Sequence, residues 1–241
     1  MSYLLYCILH GRRGGARPTL RGVGEQTVSV LDCGALCAAI SGAAAPRTED
    51  SAAGAQLDDL LAYARVVEAF NRYETVVPMR YGCCFARPAQ ARTWMLANAA
   101  HLSALLRRLE GCVEMGIRAL LMATVPPPAP AARKAASGAA YLAARKADLS
   151  LAQHGERVAH TIRDVMADSY RECFAQLEHS AKSPMLSMYF LVERGRLGHF
   201  RETYARIATG GAALMLSGPW PPYNFVCGPT EAESVLIRPS I

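Results

Sequence analysis

The residues best equipped for chemistry cluster at Arg80-Tyr81-Gly82-Cys83-Cys84-Phe85. A cation beside a thiol lowers its pKa, so Cys83 or Cys84 next to Arg80 is a candidate activated cysteine. Such a nucleophile needs a matched base, and none is evident in the sequence. The same stretch approximates the RNA-recognition strand Lys/Arg-Gly-Phe/Tyr-Gly/Ala-Phe-Val-x-Phe/Tyr, whose exposed aromatics stack bases. It lacks the glycine after the basic residue, and two cysteines occupy its middle. A structural role is favoured, with Arg80 pairing a carboxylate, for which Glu114 is a candidate. Elsewhere the chemistry is thin. There is no Gly-x-x-x-x-Gly-Lys-Ser/Thr loop, no Gly-x-Gly-x-x-Gly after a strand, and no Gly-x-Ser-x-Gly turn. The histidines at 10, 101, 154, 160, 179 and 199 lack His-Glu-x-x-His spacing, and the eight cysteines include no Cys-x-x-Cys pair. The cysteines read as reduced, mostly buried packing residues. The expectation is a protein that is not an enzyme, with no catalytic residue, no metal or other cofactor, and no small-molecule substrate.

The chain that must position these residues is 241 residues long, 51% hydrophobic and 19% charged, enough to bury one large core or two small ones. No apolar run approaches the ~18–20 residues needed to span a bilayer. Nothing basic precedes Tyr3, and the first apolar run stops at His10, so no secretory signal is read and a cytoplasmic location is expected. The net charge of +6 raises the question of nucleic acid. Residues 1–130 and 131–241 each carry 13 Lys or Arg against 10 Asp or Glu, so the excess is +3 in both and forms no evident stripe. The local group Arg12, Arg13, Arg17 and Arg21 sits among glycines and reads as a solvated loop. Neither nucleic acid nor membrane is an expected partner.

Hydrophobic periodicity places the elements. Strands are read at Tyr3–Leu9, Thr27–Leu31 and Ala35–Ser41. A helix follows, with Leu57, Leu60, Leu61, Ala64, Val67 and Phe70 as its inward stripe. An extended segment runs from Val76 to Phe85, then one helix from Ala89 to Leu109, then a strand from Val113 to Leu121 that alternates with one wetter face. This order predicts helices on one face of an antiparallel sheet. Pro126-Pro127-Pro128-Ala129-Pro130 reads as a semi-rigid spacer. Beyond it a broken helical region reaches Leu177, with Val158, Ile162, Val165, Met166, Cys173 and Leu177 as its stripe. A strand at Leu186–Val192, a helix at Leu197–Ile207 and a strand at Ala213–Leu216 complete the second half. The prediction is an α+β protein of two domains, 1–125 and 135–241, joined by a linker at 126–134.

The most constrained stretch is Leu216-Ser217-Gly218-Pro219-Trp220-Pro221-Pro222-Tyr223-Asn224-Phe225. Its prolines fix φ and exclude a helix, and they speak against a central strand. It reads as a stiff extended ribbon carrying three aromatic rings. Such a ribbon either clamps the chain's own domains together or presents a preformed contact to a partner, the clamp being favoured because large aromatics usually sit in cores.

The ribbon also resembles the closing signature of the gas vesicle protein F/L (GvpL/GvpF) family. Val77-Pro78-Met79-Arg80-Tyr81-Gly82, followed by Phe85, resembles the family's Val-Pro-Leu-Arg-Phe-Gly segment. Leu109-Glu110-Gly111-Cys112-Val113-Glu114-Met115-Gly116-Ile117 resembles its Leu-x-Gly-x-x-Glu-Trp-Gly-Val strand, with Met115 in place of Trp. Gly138-Ala139-Ala140-Tyr141-Leu142 resembles its Gly-x-x-Tyr-Leu helix opening. The first strand fits as well, so the resemblance runs nearly the whole length in order. It implies a modified ferredoxin-like N-terminal domain. It also implies an accessory role in gas vesicle assembly, with the major shell protein and other gas vesicle accessory proteins as partners, in the cytoplasm and associated with the vesicles. A small, very hydrophobic shell subunit needs its apolar face covered before it polymerises. The candidate contact and motif residues are Arg80, Gly82, Phe85, Glu114, Tyr141, Pro219, Trp220, Pro221, Pro222, Tyr223, Asn224 and Phe225. The alternative from another class is a basic nucleic-acid-binding module on a ferredoxin-like sheet.

Overall fold

The computed structural model describes residues 2–11, 19–43, 52–121, 138–178, 184–208 and 212–226, apart from the side chains of 52–56, 138–144 and 146–148. The chain separates into two compact units, Met1–Val113 with Trp220–Ile241, and Glu114–Pro219. The expected linker at 126–134 lies outside the described residues, as do Arg12, Arg13 and Arg17.

The first unit is built on β1 (Ser2–His10), a run in which Leu4 through Leu9 are all buried. A strand apolar on both faces must be covered on both. β3 (Leu36–Ala43) pairs antiparallel along one side of β1, with β2 (Ser29–Cys33) outside it. The short strands β4 (Val76–Pro78) and β5 (Cys84–Phe85) pair with the other side. Helix α1 (Ala52–Tyr73) covers the face that carries Leu4, Tyr6, Leu9, Cys37 and Ala39, and inserts Ala62, Tyr63, Val66, Val67 and Phe70. Its inward stripe is rotated from the expected one, because Leu57, Leu60 and Leu61 are exposed.

Helix α2 (Pro88–Ala97) lies on the opposite face. Cys33 pairs with Leu36, on the side away from Cys37, and its sulfur lies 3.6 Å from that of Met95. Phe85 and Trp94 meet there too, with ring centroids 5.9 Å apart. The expectation of helices on a single face is corrected: β1 is apolar on both sides and recruits a helix to each. The single helix expected over 89–109 is two, α2 and α3 (Ala99–Arg108). Asn98 separates them at φ −105°, ψ 12°, with its side-chain amide donating to Trp94 O at 2.8 Å. A short amide that bonds local backbone competes with the helix ladder.

The second unit holds a four-stranded sheet in the order β7-β8-β6-β9. Its strands are β6 (Cys112–Leu120), β7 (Glu172–Glu178), β8 (Met185–Glu193) and β9 (Ala213–Trp220). The strand read at 113–121 therefore belongs to this sheet, not to that of β1, and the two units meet along the chain after Val113. Helices α4 (Gly138–Met166) and α5 (Leu197–Tyr204) accompany it. Val158, Ala159, Ile162 and Met166 of α4 and Phe200 of α5 pack on Met115, Ile117, Ala119, Leu186, Met188 and Phe190. The helical stripe expected to reach Leu177 stops at Met166. Cys173, Ala175 and Leu177 do join this core, but as alternate residues of a strand, so the period is two. Among the described residues no helix is long and apolar enough to cross a membrane.

Candidate partner-binding site

Tyr63 of α1 organises the first unit's most polar interior. Its ring stacks on Tyr6 with centroids 5.0 Å apart and meets Tyr81 edge-on at 5.4 Å. Its hydroxyl points at three carbonyls: Met79 O at 2.6 Å, Tyr6 O at 3.0 Å and Leu5 O at 3.4 Å. One proton serves them, and the shortest bond goes to Met79. Burial holds the Tyr63 hydroxyl well above the usual tyrosine range, with nearby Tyr223 adding to the shift. It is therefore a fixed neutral donor. Tyr6 is held in turn, its hydroxyl 2.9 Å from Ser41 Oγ and accepting from Val23 N at 3.0 Å.

These bonds pin the Val77–Phe85 segment. Met79 N donates to Tyr6 O at 2.9 Å, and Leu5 N donates to Cys83 O at 2.9 Å. Between them the chain turns at Gly82, whose φ of +89° favours glycine. Arg80 is exposed at the start of this turn, whereas Glu114 is buried in β6. The candidate thiols carry no activation. Burial first, then the neighbouring Cys84, push the Cys83 thiol up to about 11, and burial raises Cys84 as well. The shift opposes a thiolate. The base-stacking reading loses its rings, since Phe85 is 6% exposed against Trp94 and Tyr81 packs on Tyr63.

The C-terminal stretch departs from the expected extended ribbon. β9 continues through Pro219 to Trp220, which an edge strand tolerates because no ladder donor is needed on its free side. Pro221 and Pro222 are then buried, and Tyr223–Phe225 forms a 3-10 turn in which Phe225 N donates to Pro222 O at 3.2 Å. Phe225 is 2% exposed, and its carbonyl accepts from Arg108 at 3.4 Å. Trp220 and Tyr223, by contrast, are 42% and 38% exposed. Asn224 lies between, half-buried. The alternatives of clamp and contact are divided within one turn: Pro221, Pro222 and Phe225 point inward, and Trp220 and Tyr223 keep substantial surface.

Two other motif stretches interlock in the second unit. A Cβ on Gly218, at φ +104°, would lie 2.7 Å from Glu114 O, and one on Gly116 would lie 2.7 Å from Ser217 Oγ. Only glycines allow β6 and β9 to approach this closely. Met115 fills the space beside Gly218 and is fully buried. Tyr141 lies on α4, and its side chain is outside the described residues.

The structure thus gathers Arg80, Gly82, Phe85 and Trp220–Phe225 into the first unit and places Glu114 and Pro219 in the second. The residue that sequence reasoning missed is Tyr63. The signal was present, since Tyr63, Val66, Val67 and Phe70 keep helical spacing, but the more apolar Leu57-Leu60-Leu61 set masked it.

The family model described as gas vesicle synthesis protein GvpL/GvpF matches residues 2–227. Among solved structures, the chain is similar to the gas vesicle protein GvpF from Anabaena sp. PCC7120, with a TM-score of 0.75 and 16% identity over 94% of this chain and 96% of that one. It is likewise similar to GvpF from Microcystis aeruginosa, with a TM-score of 0.73 and 13% identity over 94% and 99%. At these identities the likeness establishes the fold. No curated protein matched.

Proposed function

Because the chain belongs to the gas vesicle synthesis protein GvpL/GvpF family, and so has a role in gas vesicle assembly, we propose that it acts there as a non-enzymatic accessory that binds the hydrophobic shell protein. The contact is the outward half of the C-terminal turn. The observation that carries this reading is the split within Trp220–Phe225: Phe225 is 2% exposed while Trp220 and Tyr223 are 42% and 38% exposed. Two aromatic rings held on an anchored turn lose little entropy on docking and bring large apolar area to an apolar partner. A subunit whose apolar face is covered this way is kept from aggregating until it joins the shell. The protein works in the cytoplasm, associated with the vesicles, and other accessory proteins of the assembly are its further partners. The nucleic-acid alternative is not carried forward, because the rings it needs at Tyr81 and Phe85 are packed inward.

The test is co-expression with the shell protein of the same gene cluster, followed by pull-down at low and high salt. Capture is expected to survive salt, as apolar contacts do. It should weaken about tenfold when Trp220 and Tyr223 both become Ala in a protein with an unchanged circular dichroism spectrum. Salt-resistant capture indifferent to both substitutions would move the contact elsewhere on the surface. Absence of capture at every salt concentration would remove shell-protein binding from the reading.

A further inference from the structure

We propose that the free edge of β9 takes up an extended, uncharged apolar segment of the shell protein, which adds to the four-stranded second sheet as a further strand. The inference rests on the function proposed above and deepens it. β9 is the terminal strand of the order β7-β8-β6-β9. Along an edge strand, alternate residues turn their N–H and C=O outward, a row that only another extended backbone pairs in full. Among the described residues, no hydrogen bond from outside the sheet reaches Ala213–Trp220.

The side chains show the same open flank. Leu214 and Leu216 turn to the helical core but are only half-buried, whereas Ile117, Ala119, Leu186, Met188 and Phe190 of the inner strands are buried. Ala213 and Met215 alternate with them, point to the sheet's second face and are exposed, Met215 at 53%. A strand added outside β9 covers residues on both faces.

Proteins guard such edges with charge, proline or brevity. The opposite edge of this sheet is guarded, since Glu172 and Glu178 close the two ends of β7. In the first sheet, β2 has five residues and carries Asp32, and β4 and β5 have three and two. β9 has no charged residue, and none occurs anywhere from Ile207 to Thr230. Its one guard is Pro219, which lacks an N–H and stands beyond the stretch Ala213–Ser217. That stretch spans about 16 Å, room for a short partner strand.

The chemistry of the edge selects its occupant. A row of backbone donors and acceptors calls for an extended chain, not for a helix or a nucleic acid. A charged side chain in the incoming strand would find no countercharge on β9 and would lose hydration beside Leu214 and Leu216, so the segment is apolar. β9 leads into Trp220, one of the two exposed rings assigned to shell-protein contact, so main-chain pairing and ring contact fall on one continuous stretch of chain. A very hydrophobic shell subunit meets both requirements.

Hydrogen exchange read by mass spectrometry tests this, on the purified full chain alone and on its co-expressed complex with the shell protein of the same gene cluster. The outward amides of Ala213–Ser217 are expected to exchange at least about tenfold more slowly in the complex, with the β7 edge unchanged. Ala213→Lys combined with Met215→Lys charges the edge at two exposed positions. It should weaken capture about tenfold and abolish that protection, with an unchanged circular dichroism spectrum. Should the spectrum change, exchange in the parent complex decides alone. Capture without protection at 213–217 overturns the edge inference and leaves shell-protein binding standing. Equal slowing at both edges reports general stabilisation and overturns it too. Protection that appears in the free chain as its concentration rises assigns the edge to a second copy, against the proposal. Absence of capture at every salt concentration removes both this inference and the function it rests on.

Discussion

The two sheets of this protein solve the same problem differently. In the first unit, β1 is buried from Leu4 to Leu9, and α1 and α2 lie on opposite faces of its sheet. In the second, α4 and α5 cover one face, while the other leaves Leu120 and Met215 in solvent and buries Leu191 and Ser187. Burial of apolar area drives folding, so a completed sheet is where stability concentrates. An incomplete one keeps apolar area in reserve for another molecule. On this comparison the first unit is scaffold plus one anchored aromatic turn, and the second leaves part of one sheet face in solvent.

The comparison breaks first if the cores are unequal in quality. Phe190 meets Tyr170 and Phe200 edge-on at 5.1 Å and 5.5 Å, and Tyr63 is as central to its own unit. Phe190→Ala and Tyr63→Ala are each expected to cost about 3–5 kcal/mol in urea unfolding. Hydrogen exchange should separate them, Phe190→Ala exposing β7 and β8 and Tyr63→Ala exposing β1 and β3. Equal loosening of both sheets by either change would remove the distinction. Tyr63→Phe isolates the hydroxyl: leaving Met79 O without its 2.6 Å donor should cost about 1–3 kcal/mol.

A smaller effect is expected where β6 meets β9. Gly218→Ala places a Cβ at 2.7 Å from Glu114 O, in a backbone conformation that L side chains avoid. The expected cost is about 1–3 kcal/mol, read by thermal unfolding. Exchange should rise along β9 and leave β7 and β8 unchanged, which would show that this edge carries its own local stability.

Smaller again is the pH dependence that the first unit confers. Burial, and then the neighbouring Cys84, push the Cys83 thiol from 9.0 up to about 11 in the folded chain. Between those values the unfolded chain loses its proton first, so the contribution is whole below pH 9 and disappears as pH rises toward 11. Denaturation midpoints across this window should fall more steeply for the parent chain than for Cys83→Ala, whose midpoint lacks that component. A thiol reagent at pH 8 should modify exposed Cys84 well before Cys83.

These elements were legible in the sequence to different degrees, for physical reasons. β1, β3 and β8 announce themselves as short apolar runs, and Gly82 and Gly111 mark turns by a positive φ that glycine tolerates. Residues 172–178 are ambiguous in the sequence, because Cys173 and Leu177, four apart, satisfy a helix and a strand equally. The buried stripe of α1 is hidden in the sequence, because hydropathy ranks Leu57 and Leu61 above Tyr63 and does not record that a tyrosine hydroxyl can find three carbonyls inside. Which sheet would claim β6 was beyond any local pattern, since strand pairing is set by residues more than sixty positions away in β8. The aromatic turn was recognisable from its prolines, but the division between Phe225 and Trp220 depends on which side of the turn the first unit lies.

The smallest stability effect carries the sharpest form of the comparison. Met215→Ser on the second face removes a side chain already 53% exposed, so it should change stability by no more than about 0.5 kcal/mol. Leu9→Ser in the covered sheet removes a wholly buried one and leaves a hydroxyl among apolar neighbours, so the expected cost is several kcal/mol, on the order of a core truncation. The two substitutions delete similar apolar volume and differ in whether the fold has already buried it. If Met215→Ser leaves the unfolding midpoint in place, its area lies outside the core. If it lowers the midpoint as a core residue does, the second face is completed within the chain, and the reserve of apolar surface inferred for it is not there.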